Sequence, residues 1–302
     1  MTAGEDPRHL ARLPIRELRE RAQQPERARN DLGGVLFGDW VSPFLTRTFL
    51  RRGLSPTVAT IGMLIAGLTG ALLLPLGGIW SVVAAFCFVL FYVLDCVDGE
   101  VARLRGIDRY FWSFPDFFFG AWVMALFHLS LGIYAFRLTG SPWMILAGAT
   151  LALALMTKKF IDVCHVFLTV EQIVAADVER RRRYMAQLGI DPAAEPVPPA
   201  ETEVLTSRRQ VIARYGGLRG VVRAALTNFH LAMLCFTVLA VLDLAVGPWV
   251  VAETTFDLKT LFLVLYLPLY LLHVADHVIF LWRGGFVARS AVLLRRLARW
   301  NA

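Results

Sequence analysis

Asp95 and Asp98 stand three residues apart in the run Asp95-Cys-Val-Asp98-Gly99-Glu-Val-Ala102-Arg103. Gly99 follows Asp95 by four positions, and Ala102 follows Asp98 by four. In a helix these offsets put two carboxylates and two small residues on one face. Such a face can hold hard divalent cations and let a bulky ligand come close to the backbone. Mg2+ typically binds through one or two carboxylates together with phosphate oxygens of a substrate. Arg103, one turn beyond Gly99, is placed to pair with a phosphate. Asp116, on the next helix, could complete the metal site.

The elements that carry these residues belong in a bilayer. The 302-residue chain is 57% apolar and only 18% charged, whereas soluble domains carry about 25% charge; its mean hydropathy is +0.56. Runs of about 20 apolar residues span a ~30 Å hydrocarbon core as helix. Six such runs are expected, at residues 56–76, 79–103, 112–136, 143–168, 228–246 and 258–282. Pro142 reads as the first residue of the fourth helix, with Ser141 as its cap. Pro75 closes the first helix, and Pro268 should kink the sixth. The first 30 residues are too polar to hold the apolar core of a signal peptide.

Charge sets the orientation. Of 31 Lys and Arg, 29 fall in four stretches that six spans place in one compartment. Only Arg137 and Lys259 fall on the other side. The positive-inside rule makes the basic compartment the cytoplasm, so the formal charge of +7 is explained by topology, with anionic lipid as a second attraction. No nucleic-acid partner is expected. The implied location is the cell (inner) membrane, multi-pass, with both termini and the polar site on the cytoplasmic side.

The organisation follows: a charged tail at 1–35, an interfacial amphipathic helix at 36–53, spans one to four at 54–168, a cytoplasmic insertion at 169–227, spans five and six at 228–282, and a basic tail at 283–302. Phe37, Trp40, Val41, Phe44, Leu45 and Phe49 share one helical face, with Arg47, Arg51 and Arg52 nearby, as an interfacial helix requires. Cys87, Cys96, Cys164 and Cys235 read as small buried hydrophobes. The fold class is an all-α integral membrane bundle of six transmembrane helices.

Ionisable residues inside spans are functional suspects. At about 1.5 Å per residue, Asp95 lies about 24 Å from the outer end of span two, and Asp98 about 5 Å deeper. Lys158 in span four and His273 in span six come to a similar level, with Asp276 and His277 just below. Asp116 lies about 6 Å from the inner edge of span three. His128 and Asp243 fall in the outer half and read as structural. Lys158 and Lys159 are candidates to bind an anionic substrate, although lysines near a span's inner end commonly snorkel to headgroups. His273, Asp276 and His277 share a face that suits interhelical hydrogen bonding better than a second metal site.

The motif resembles the signature of the CDP-alcohol phosphotransferase family, D-x2-D-G-x2-A-R-x8-G-x3-D-x3-D, carried on the second and third of six spans. Asp95, Asp98, Gly99, Ala102, Arg103 and Asp116 match in register. The segment Leu54-Ser55-Pro56-Thr57-Val58-Ala59-Thr60 resembles the family's approach to span one, where Pro-Asn is usual and Thr57 here replaces the Asn. Two positions depart: Trp112 stands for the motif glycine and Gly120 for the final aspartate.

The resemblance implies a phosphatidyltransferase that moves a phospho-alcohol group from CDP-diacylglycerol or another CDP-alcohol to an acceptor alcohol, releasing CMP. Asp95, Asp98 and Asp116 would be the catalytic metal ligands of a two-metal Mg2+ or Mn2+ site. Gly99, Ala102 and Arg103 would serve the nucleotide and its phosphates, and Lys158 or Lys159 the acceptor. The family is often homodimeric. Because Gly120 occupies the place of the family's proposed base, a relative that binds CDP-lipid without efficient transfer is the alternative. An ion-coupled transporter would also tolerate intramembrane carboxylates.

Overall fold

A computed structural model describes residues 7–23, 37–107, 113–175, 228–251 and 253–282; the side chains of 7–8, 113–116, 165–175 and 280 are not described. Most of the expected insertion, from residue 176, and the expected basic tail lie outside the described residues. The helices are α1 (Pro7–Leu10), α2 (Ile15–Gln23), α3 (Asp39–Arg52), α4 (Pro56–Leu73), α5 (Ile79–Leu104), α6 (Ser113–Thr139), α7 (Trp143–Ala175), α8 (Phe229–Val246) and α9 (Leu258–Phe280). Six of them, α4 to α9, are long and apolar enough to cross a membrane. The chain is an all-α, multi-pass membrane bundle.

The helix ends follow local chemistry. Pro56 opens the first turn of α4, where a missing N–H costs nothing. A 3-10 turn, Leu74–Leu76, closes that span around Pro75. Gly53 ends α3 in the left-handed region, φ 68°, and its N–H reaches the Leu50 carbonyl. Asn228 caps α8 by accepting the Leu231 N–H at 2.9 Å. The fourth span, Trp143–Cys164, ends a little before the expected 168, while its helix begins at Trp143 and continues to Ala175. The sixth continues through Pro268.

The described residues divide into two compact units, those up to 153 with those of 228–270, and those of 154–175 with those of 271–282. In the first, α5 is the hub and packs against α2, α3, α4 and α8. Small residues set the close approaches, as expected where lipid is as apolar as the helices themselves. A Cβ on Gly132 would lie 2.7 Å from the Met144 carbonyl, and one on Gly148 2.6 Å from the His128 carbonyl. The backbones of α6 and α7 therefore touch. Buried Phe127 packs edge-on against Phe88, Phe229 and Phe236, and buried His128 stacks on Tyr266. His128 is thus part of an aromatic layer, as its structural reading requires.

At the end of the bundle away from Arg103, two short strands, β1 (Trp249–Val251) and β2 (Thr254–Phe256), pair antiparallel. The sequence reading has only a short loop there. Beyond β2, Lys259 Nζ meets Asp243 at 2.5 Å and Asp257 at 2.7 Å, all three buried. Asp243 also accepts the Leu258 and Lys259 N–H groups, and Asp257 those of Thr260 and the Tyr134 hydroxyl. Burial pushes the Asp257 carboxyl up, but bonds from Lys259, Tyr134 and Thr260 outweigh it and hold it below its ordinary value.

At the opposite end, what reads as a charged tail contains two docked helices. Leu10, Ala11 and Leu18 pack with Leu50 of α3, and Leu13 and Leu104 cover them. The apolar face of α3 divides in two. Phe37, Val41, Leu45 and Phe49 pack on Ala59, Val93, Val97 and Val101 of α4 and α5. Trp40 and Phe44 stay exposed, with the Arg19 guanidinium 4.2 Å above the Trp40 ring.

Candidate functional site

Asp98 is buried near the Arg103 end of α5, and Asp95, one turn back, is half-buried. Thr60 of α4 donates its hydroxyl to Asp98 Oδ2 at 3.0 Å. That bond fixes one carboxylate oxygen. Gly99 and Ala102 are buried between α5 and its neighbours. The backbone of Asp116 lies in the first turn of α6, but its side chain is outside the described part of the structure. Among the described residues, no three His, Cys, Asp or Glu side chains gather as a metal site. The Asp95–Asp98 pair needs a third donor, which is the place the sequence gives to Asp116. Two hard carboxylates on one face, one held by a neutral hydroxyl, fit Mg2+ or Mn2+.

Arg103 is engaged with the protein itself. Its Nε donates to the Ala22 carbonyl, in the last turn of α2, at 2.6 Å. Glu100 is the residue that the sequence reading passes over. Its carboxylate is 2% exposed and accepts three bonds, from Gln23 Nε2 at 2.7 Å and from the Ser42 and Thr46 hydroxyls at 2.6 Å each. One signal was present: Ser42 and Thr46 stand four apart on α3, which places two hydroxyls on one face.

Gly120, in the motif position of the last aspartate, is buried one turn beyond Asp116. A Cβ there meets nothing among the described residues within 4 Å. A β-carbon at this position therefore clears the described residues.

Lys158 and Lys159 belong to the second unit. The Lys158 ammonium pairs with Asp162, one turn on, at 3.0 Å. His277 Nε2 lies 3.0 Å from the other oxygen of Asp162. The carboxylate thus links α7 to α9 through His277, one of the three residues of the face for which interhelical bonding is expected. Any anion reaching Lys158 competes with Asp162 for it.

Neither a scan against protein-family models nor a search of the curated proteins finds a match.

Proposed function

We propose that this chain is a metal-dependent membrane phosphotransferase of phospholipid synthesis, taking a CDP-alcohol such as CDP-diacylglycerol and an acceptor alcohol. The observation that carries this reading is the Asp95-x2-Asp98-Gly99-x2-Ala102-Arg103 run with Asp116 in register, a pattern similar to the CDP-alcohol phosphotransferase signature. The buried, hydroxyl-held Asp98 beside two small residues supports it.

In this reading Asp95, Asp98 and Asp116 hold the cation, which when bound neutralises charge on the phosphoryl oxygens and leaving group. Gly99 and Ala102 let the nucleotide lie against α5, and Arg103 pairs with its phosphates. The acceptor oxygen forms a bond to the phosphorus that carries the alcohol. The bond from that phosphorus to the CMP oxygen breaks, and the hydroxyl proton passes to a base. Lys158 or Lys159 meets an anionic acceptor, with Lys158 leaving Asp162 to do so.

A second reading rests on Gly120: a relative that binds CDP-lipid without efficient transfer, because no carboxylate occupies the motif's last position. CMP release on mixing CDP-diacylglycerol, Mn2+ and a pool of alcohols separates the two. Asp95→Asn, Asp98→Asn and Asp116→Asn should each abolish metal-dependent binding of CDP-diacylglycerol; three variants that bind like the parent would sink both readings.

The 29-to-2 division of basic residues supports a cytoplasmic site in the cell inner membrane. A cysteine at Gly78 or Thr139 should then label from outside intact cells and one at Pro198 only after they are opened. Label at Pro198 in intact cells reverses the orientation. A homodimer is consistent with the family resemblance.

A further inference from the structure

Glu100 follows Asp98 by two residues, so it faces a different side of α5 from the carboxylate pair. A carboxylate taken out of water is costly unless donors replace the solvent, and an apolar side chain commonly fills such a place at lower cost. Here a carboxyl group is kept, and its three donors come from two other helices. Gln23, the last residue of α2, spans the gap: its Nε2 donates both to Glu100 and, at 3.1 Å, to the carbonyl of Asp39, the first residue of α3. Gln23 is 1% exposed.

The neighbouring bond gives this arrangement a direction. Ala22 precedes Gln23, and its carbonyl accepts from Arg103 Nε at 2.6 Å. Carbonyls in a helix's last turn carry the negative end of its dipole and suit a guanidinium. Glu100 and Arg103, three residues apart on α5, therefore grip adjacent residues at the end of α2.

We infer that Glu100 and Gln23 are positioning residues for Arg103: they dock α2 so that the Ala22 carbonyl holds Nε and aims the guanidinium at the diphosphate of a CDP-alcohol. This rests on the nucleotide site proposed above. The guanidinium is a planar fork of donors, and an arginine already held at Nε loses less freedom when it meets phosphate. On this view the N-terminal arm is part of the site, although it lies in a charged stretch with no motif.

The test uses the full chain in phosphatidylcholine nanodiscs, with CDP-diacylglycerol as the probe and Mn2+ present. Gln23→Ala and Glu100→Gln should each weaken CDP-diacylglycerol binding about tenfold, the scale of one charge-assisted bond. Mn2+ affinity, measured without nucleotide, should stay unchanged. In an Arg103→Ala background the same substitutions should have no further effect, because the group they aim is gone. Single variants that bind like the parent overturn the inference and leave the nucleotide site standing. Losses that add in full to that of Arg103→Ala, or a parallel fall in Mn2+ affinity, overturn it as well, since they report a general disturbance of α5. A parent that binds no CDP-diacylglycerol removes the functional reading itself, and this inference with it. Gln23→Ala removes no charge and sits at a helix end, so it carries the test if Glu100→Gln does not fold.

Discussion

Replacing Thr60 by valine removes one hydroxyl and keeps the shape of the side chain. Thr60 and Asp98 are 7% and 4% exposed, and the bond between them is 3.0 Å. A hydrogen bond to a charged group contributes about 1.5–3 kcal/mol to stability, so the metal-free variant should unfold earlier by that amount. If Asp98 ligates a cation, Thr60 is one step behind the ligand, and loss of such a group typically weakens metal binding about 10–100-fold. The lower figure applies here, because 3.0 Å is longer than the strongest charge-assisted bonds. At a Mn2+ concentration about 100 times the parent's Kd, binding stabilises the parent by about 2.7 kcal/mol. A tenfold weaker site gains only about 1.4 kcal/mol at the same concentration. Thermal unfolding in detergent across a Mn2+ titration reads both effects, and electron spin resonance of free Mn2+ checks the affinity directly. A Mn2+-dependent gain in Thr60→Val as large as the parent's refutes the assignment of Asp98 as a ligand.

Lys259→Met should cost about 3 kcal/mol, the lower end for breaking a buried ion pair, because backbone N–H groups and Tyr134 still hold both carboxylates; chemical denaturation checks it. Asp257 has a lowered carboxyl pKa in the fold, so its contribution is present above the unfolded value, 3.8, and is lost as pH falls through the folded one. The parent's advantage in unfolding midpoint over Asp257→Asn should therefore narrow only below that pH. Gly120→Asp adds a β-carbon that clears the described residues and should raise CMP release from CDP-lipid about a hundredfold if a general base is what is missing. A well-folded variant with slower turnover would show that the space serves the acceptor instead.

The six spans are legible in the sequence because hydrocarbon admits only long, internally bonded apolar helices, and the observed helices fall close to the expected ranges. The helical face of Asp95, Asp98, Gly99 and Ala102 follows from spacing alone. Glu100 does not, because its partners lie 54 to 77 residues away in sequence. Docking of α1 and α2 is hidden because Leu10, Leu18 and Ala22 are spread among arginines and glutamates. The Lys158–Asp162 pair is an i,i+4 contact that spacing can give, whereas His277 reaches the same carboxylate from 115 residues away. The hairpin escapes because its turn lacks the usual glycine or asparagine. Glu253 takes φ 67° there instead, a conformation uncommon outside glycine.

The contact between Gly132 and Gly148 bears on how the chain enters the bilayer. Only Gly140, Ser141 and Pro142 separate α6 from α7, and the two backbones meet within a few turns of that corner. Contacts so near in sequence close a short loop, with little entropy to overcome. The third and fourth spans are therefore expected to leave the insertion machinery together as a helical hairpin, already paired while α8 is still being synthesised. Truncating the nascent chain just after Ala175 and crosslinking cysteines at 131 and 149 would report that pairing. The late helices then pack against a preformed wall.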